Sequence, residues 1–370
     1  MAERWDAIVV GAGAMGTAAA RSLAARGRRT VVLERFRVGH ANGSSHGPNR
    51  IFRLAYHHPD YVRMARRALD EWRALEDEAG EELLTTTGGL DAGPGAAIAA
   101  EALSFAGEPS GWMEPAEVAD RWPALRPPEG PPLLFQADAG VCRADRAVAA
   151  QARLAAEAGA TVLEGTTVAE LDRTGDGVEA HTSSGDVHRA PVVVVTAGAW
   201  AEPLLATAGI GASLRVTRER IAYATLPAPG PVPTLIEWTR EPLHPRYALP
   251  VPDRPDLVKL GEHRAGEVVD PDSEVEPPVA DHALSAFASE RFPGSVVATL
   301  ETCLYTNTPD EDFVLDRDGP VVVGSPCSGH GFKFAPLIGR ILADLATGAT
   351  PPVDLSRFAL RRPSLGNAGP

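Results

Sequence analysis

Residues 6–36 read DAIVVGAGAMGTAAARSLAARGRRTVVLERF. The apolar run at 7–10 predicts a buried strand, and Gly11, Gly13 and Gly16 follow it as G-x-G-x-x-G. A helix is expected over 14–25, with Gly27 just beyond it, and a second strand over 30–34 that ends on Glu34. Strand, glycine turn, helix and strand make a βαβ unit. Glycine allows the tight turn, and the missing side chain at Gly13 lets backbone N–H groups reach a pyrophosphate at the positive end of the helix. Glu34 can accept hydrogen bonds from ribose hydroxyls. The glycine motif alone is weak, because a glycine-rich turn without chemistry looks the same. Its flanking strand, helix and terminal acid together favour dinucleotide binding. They do not separate NAD from FAD.

Working outward, a second helix is expected after Asp60, with Tyr61, Ala65, Leu69, Trp72 and Leu75 on one face and Gly80 as its stop. A third is expected from Asp145, a good N-cap, to Gly159, followed by the strand-like ATVLEG at 160–165. Residues 178–200 read as a hairpin and then a buried strand at 192–195. The stretch from about 210 to 299 is different: proline-rich, with short alternating apolar runs and one good helix candidate at 281–292. That pattern suits an antiparallel sheet domain inserted into the nucleotide domain.

The 370 residues suggest two domains of ordinary size. Hydrophobic content of 44% is enough for a packed core, and 35 basic against 49 acidic residues give a net charge of −14. An acidic chain argues against nucleic-acid or membrane-surface binding. Cys142, Cys303 and Cys327 make neither a disulfide framework nor a CxxC metal pattern. The start MAERWDAIVVGAG has charges where a signal peptide needs an apolar run, and no stretch approaches the roughly 20 apolar residues of a membrane span. A cytoplasmic protein is expected.

Lys333 stands out. It lies between VVVG at 321–324, which reads as a buried strand, and an amphipathic helix that carries Phe334, Ile338, Ile341, Leu342 and Leu345 at helical spacing, with Pro336 in its first turn. A lysine at a strand-to-helix hand-over is either a snorkelling surface residue or an anion ligand. Arg50 and Arg53 in PNRIFRLAY are spaced i, i+3. In DLVKLGEH, strand alternation puts Leu257 and Lys259 on one face and Val258 and Leu260 on the other, so Lys259 is a candidate for a partly buried charge.

The segments GAGAMG, NGSSHGPNRIFRLAY, RWPAL, VVTAGAW, VKLGEH, CLYTNTPDEDF and SGHGFKFAP occur in this order over almost the whole chain. In them the chain resembles the monomeric sarcosine oxidase and N-methyltryptophan oxidase family, flavin-dependent amine oxidases related to D-amino-acid oxidase. The resemblance implies FAD, held by Gly11, Gly13, Gly16, Glu34, Ser45, His46, Arg50, Val168, Gly198, Gly329, Gly331 and Lys333. It also implies a thioether from Cys303 to the flavin ring. Cys327 stands where similar proteins carry another residue; we read it as packing, and it is the rival attachment point. Arg53 and Lys333 match the pair that clamps the substrate carboxylate, for which a planar guanidinium is well shaped. Arg50 would lie nearer the ring. Lys259 matches the lysine across the ring from the substrate, where a fixed cation lowers the barrier to oxygen reduction. His263 matches a histidine above the substrate side, where it tunes polarity or amine protonation.

One departure concerns the substrate. The family has two adjacent tyrosines before Phe-Pro, whereas this chain reads Arg246-Tyr247-Ala248-Leu249-Pro250. Tyr247 matches the second tyrosine, and Arg246 stands where the first would shape the substrate pocket. This predicts a substrate larger than sarcosine, with a second polar or acidic group. The overall expectation is an α/β plus β architecture. A discontinuous Rossmann-like FAD domain (1–84, 140–212 and 300–370) carries an inserted substrate domain on a mostly antiparallel sheet (85–139 and 213–299). The resemblance implies a monomeric oxidase of secondary or N-substituted amino acids that releases hydrogen peroxide. Same-fold dehydrogenases, non-catalytic flavin modules and nicotinamide dehydrogenases are the rivals.

Overall fold

The structure is a computed structural model and describes residues 3–238, 245–274 and 278–365. Its first sheet has six strands in the order Thr161–Leu163, Thr30–Leu33, Ala7–Val10, Val193–Val195, Val321–Ser325 and Val314–Asp318. All neighbours are parallel except the last pair, a hairpin. The central strands are buried along their whole length and almost wholly apolar because both of their faces are covered. Ala7, Val9, Val32, Val194 and Val322 point to the helical layer, and Ile8, Val10, Val31, Val193 and Val195 point the other way.

The helical layer is built from Ala14–Ala24, Ala144–Glu157 and Ala335–Thr347. Small residues set its spacing. A Cβ at Gly339 would lie 2.4 Å from the Ala18 carbonyl carbon, so the first and last helices touch backbone to backbone. Ile338, Ile341 and Leu342 are fully buried there, each worth about 1.5–3 kcal/mol. The opposite face is covered by the helix Ala201–Thr207 and a separate four-stranded sheet. That sheet joins Glu3–Arg4, Val187–Ala190, Gly177–Thr182 and Val168–Thr174. The hairpin expected at 178–190 therefore belongs to this outer sheet.

A nine-stranded sheet forms the second large body, and a small sheet joins Arg50–Phe52, Gly140–Cys142 and Leu84–Thr86. Along the large one run Glu267–Val268, Arg215–Thr225, Arg254–Glu262, Arg246–Val251, Thr234–Glu237, Gly89–Ala92, Leu133–Gln136 and Gly111–Met113, with Val296–Asn307 also paired to Arg215–Thr225. Its pairs are antiparallel except Thr234–Glu237 with Gly89–Ala92. The break expected at 299/300 falls inside Val296–Asn307. That strand enters along Arg215–Thr225 and delivers the chain to the hairpin of the first sheet, so no linker exists there.

The long helix Pro59–Ala79 buries Tyr61, Ala65, Trp72 and Leu75 as the spacing predicts, and it ends where Gly80 adopts φ +70°. Asp145 is not an N-cap. The helix begins one residue earlier, and the Asp145 carboxylate instead accepts the Gly47 N–H at 2.8 Å, fastening the 40s loop.

Candidate active site

A cavity of about 720 Å³ runs from the glycine turn to the hand-over at Lys333, within the range of small-molecule sites. At one end, Gly11 has φ +95°, and a Cβ on Gly16 would lie 1.7 Å from the Gly11 carbonyl oxygen. Those two glycines let the helix start directly on the strand. Gly13 opens the helix with no side-chain cap, and the Ala14 N–H donates to Ser45 Oγ at 3.0 Å. Glu34 accepts from the Ala12 N–H at 2.6 Å and the Phe36 N–H at 2.8 Å, so its carboxylate latches the glycine turn while lining the cavity. Val168 and Gly198 line the same end, and Gly16 is behind the wall rather than in it.

In the middle lie the 40s loop, Lys259 and the two cysteines. Arg50 starts the short strand Arg50–Phe52, and its guanidinium donates to the carbonyls of Asn49 (2.8 Å), Ser44 (3.0 Å) and His46 (2.6 Å). Lys259 is mid-strand in Arg254–Glu262, 3% exposed, with Nζ donating to the Asn49 carbonyl at 3.3 Å. Burial, then the Arg50 charge, lower its pKa to about 7. The same two causes, in that order, hold His46 near 4, and its buried Nε2 has no hydrogen-bond partner among the described residues. Burial pushes the Cys303 thiol up, while Arg50 and Lys259 pull it down. Cys327 also lines the cavity, and its Sγ accepts the Thr306 N–H at 3.2 Å.

The far end is built on the 3₁₀ turn Phe332–Phe334. Trp72 Nε1 donates to the Lys333 carbonyl at 2.7 Å, locking that backbone. Lys333 itself is 2% exposed; Nζ donates to Tyr56 Oη at 2.9 Å and to the His330 carbonyl at 2.6 Å. Burial, then Arg53, lower its pKa well below the usual lysine value. The Arg53 guanidinium lies 4.8 Å from the centre of the Tyr56 ring and 5.5 Å from that of Trp238. Gly329 and Gly331 serve the loop before Lys333. Side chains there would run into Tyr305 and the Pro326 carbonyl. The His263 ring lies 5.6 Å from that of Tyr305, in the cavity wall.

Arg246 is a correction. Strand alternation sends Tyr247 and Leu249 into the cavity and Arg246 to the opposite face. There it pairs with Glu237 (3.1 Å) and Glu290 (3.3 Å) and covers the Phe287 ring. Tyr56, His57, Trp238, Tyr305 and His330 also line the cavity and were not among the sequence-predicted site residues.

The residues present fit FAD. The unpartnered His46 Nε2, the helix start at the side-chain-free Gly13 and the Arg50–Lys259 cation pair suit a long, anionic, hydrogen-bonding ligand. Comparison with known proteins agrees. Residues 6–345 match the family model described as FAD dependent oxidoreductase. The chain is 35% identical to the human peroxisomal sarcosine oxidase, over 98% of each chain. It is 33% identical to a Bacillus monomeric sarcosine oxidase, over 99% of this chain and 98% of the relative. Among solved structures, NikD, an amino acid oxidase of nikkomycin biosynthesis, superposes with a TM-score of 0.85 at 29% identity, covering 96% of this chain and 97% of NikD. No helix among the described residues is long and apolar enough to cross a membrane.

Proposed function

The chain belongs to the FAD-dependent oxidoreductases, as a sarcosine-oxidase-like enzyme acting on CH–NH donors, and from that premise we propose that it oxidises the C–N bond of a secondary or N-substituted amino acid, N-methyl or cyclic. The observation that carries this reading is the pairing of Arg53 and Lys333 on one tyrosine, Tyr56, in a cavity that also holds Arg50 and Lys259. When bound, FAD would accept the electron pair and pass it to O2, giving hydrogen peroxide.

The chain's own residues then have distinct tasks. Arg53 and Lys333 receive the substrate carboxylate, which fixes where the C–N bond lies. Their charges favour loss of the amine proton before oxidation. Arg50 and Lys259 supply positive charge at the ring, and Lys259 is the cation beside which O2 is reduced. His263 tunes the polarity of the substrate side. The glycine turn, Glu34, Ser45, His46, Val168 and Gly198 hold the dinucleotide. Cys303, whose thiol is pulled toward the thiolate by Arg50 and Lys259 against the effect of burial, is the attachment point we favour over Cys327. The imine product hydrolyses in water. Like the Bacillus relative named monomeric, the protein would act as a monomer, and its free thiols suit a reducing cytoplasm.

The test is a peroxide-release screen over sarcosine, other N-methyl amino acids, proline and pipecolate, paired with anaerobic bleaching of the flavin. Bleaching followed by rapid reoxidation in air is expected. Bleaching without reoxidation would make it a dehydrogenase, and no bleaching by any of them would remove the substrate assignment.

A further inference from the structure

The carboxylate site carries an acidic residue that none of the roles above uses. Asp91 sits in Gly89–Ala92, between Thr234–Glu237 and Leu133–Gln136 in the nine-stranded sheet, and is 1% exposed. Its Oδ1 accepts from Trp238 Nε1 at 3.0 Å and its Oδ2 from Gln136 Nε2 at 3.0 Å. Gln136 cannot turn round, because its Oε1 accepts the N–H groups of Leu54 (3.0 Å) and Ala55 (2.6 Å). Burial pushes the Asp91 pKa up, while Arg53, Trp238 and Gln136 pull it down. With both oxygens facing fixed donors and a guanidinium beside one of them, the geometry favours the ionised carboxylate. Arg53 Nη1 lies 3.5 Å from Oδ1, long for a hydrogen bond but close for a charge pair. The direct hydrogen bond of that guanidinium is to the Ala55 carbonyl, and the rest of the group remains available to the cavity.

The consequence is a matter of charge. With a carboxylate bound and Lys333 protonated, Arg53 and Lys333 would hold two positive charges, and an ionised Asp91 offsets one of them. Ile236, Leu249, Tyr247 and Trp238 are neutral, and burial holds His57 near 4, so its ring is uncharged at neutral pH. Arg246, the cation that would have met a second acid, lies outside and is paired with Glu237 and Glu290.

Resting on the reading that Arg53 and Lys333 bind the substrate carboxylate, we propose that Asp91 is the specificity-determining residue of this site. It fixes the capacity at one carboxylate, so the substrates are monocarboxylic amino acids whose remainder is uncharged and lies against Trp238 and Leu249. Dicarboxylic analogues are disfavoured because Asp91 offsets one of the two charges that face the carboxylate, and the other cations without an acidic partner named above, Arg50 and Lys259, belong to the middle of the cavity.

Valerate and glutarate test this, since they differ by a methyl group in place of a second carboxylate. Their binding is read from the flavin absorbance of the holoenzyme at neutral pH. Wild type is expected to bind valerate at least about tenfold more tightly. In the double variant D91N/Q136E the hydrogen bonds are kept. The amide introduced at position 91 accepts from Trp238 and donates to the carboxylate introduced at position 136, which also serves Leu54 and Ala55. The negative charge meanwhile leaves position 91, where it lies 3.5 Å from Arg53, for position 136. Glutarate then gains more than valerate, because it carries twice the charge, and the preference shrinks severalfold. Equal binding of the two acids by wild type, or an unchanged ratio in the double variant, overturns the proposal. R53M separates the two levels. If R53M loses valerate while D91N/Q136E keeps the wild-type ratio, only the role of Asp91 fails. If R53M binds valerate like wild type, the carboxylate site itself is misassigned and both readings fall.

Discussion

Lys259 and Arg50 donate to one acceptor, the Asn49 carbonyl oxygen, at 3.3 and 2.8 Å. Burial, and then the second cation on the same oxygen, weaken the hold of Lys259 on its proton, and it titrates near 7. The ammonium form exists below that value and is lost above it. An anion bound nearby moves the titration upward, so the reoxidation rate of reduced holoenzyme should fall as pH rises through 7 or above. Stopped-flow reoxidation across about pH 6–10 checks this. Lys259→Met should abolish the step and slow reoxidation by about a hundredfold or more. In the ligand-free protein the linkage has the opposite consequence. The unfolded chain keeps the proton up to about pH 10.4 while the folded one sheds it, so stability contributed by this group rises with pH over that window.

Lys333 yields a proton-uptake prediction. Burial and Arg53 depress its pKa, and a carboxylate arriving between the two cations must raise it. Binding of propionate to the holoenzyme should therefore take up protons at pH values above the unliganded pKa. Calorimetry in buffers of different ionisation enthalpy measures the uptake, and Lys333→Met should remove it.

The tether can be assigned by colour. After acid precipitation the yellow should stay in the pellet for wild type and Cys327→Ser and pass to the supernatant for Cys303→Ser. Release by Cys327→Ser instead would move the bond to the other thiol.

Arg246→Met should leave KM within about twofold while costing about 1 kcal/mol of stability by urea unfolding, since its partners are Glu237 and Glu290. A large KM change would mean that the residue reaches substrate after all.

Gly16→Ala tests the turn. The added Cβ would sit 1.7 Å from the Gly11 oxygen, so the helix must withdraw from the strand. The variant should purify with little flavin, as read from its absorbance ratio.

The sequence announced the inner strands of the first sheet, at 7–10, 30–33, 193–195 and 321–324, because they are buried on both faces and read as valine-rich runs, the first beside a glycine turn. The edge strand Val314–Asp318, with Asp316 and Arg317 in it, was not read. Lys333 was visible because a charge at a strand-to-helix junction has few structural uses. Arg246 was misread for a reason present in the chain itself. If Tyr247 faces the cavity, period-two alternation turns its neighbour away. Asp91, Gln136 and Trp238 come from three separate strands or strand ends, and only the register of the sheet joins them. An isolated Asp between Leu90 and Ala92 was the one local sign. His57 had no pattern to mark it, and His330 stands in SGHGFKFAP but was passed over for its neighbours Gly329, Gly331 and Lys333.

The cavity takes its walls from Gly11 at one end of the chain and from Lys333 near the other, with Gly324 and Ser325 of the last inner strand of the first sheet also in its lining. A ribosome must therefore synthesise more than three hundred residues before any complete receptacle for the cofactor exists. Loading belongs to the finished polypeptide, and a truncated or stalled product would emerge colourless.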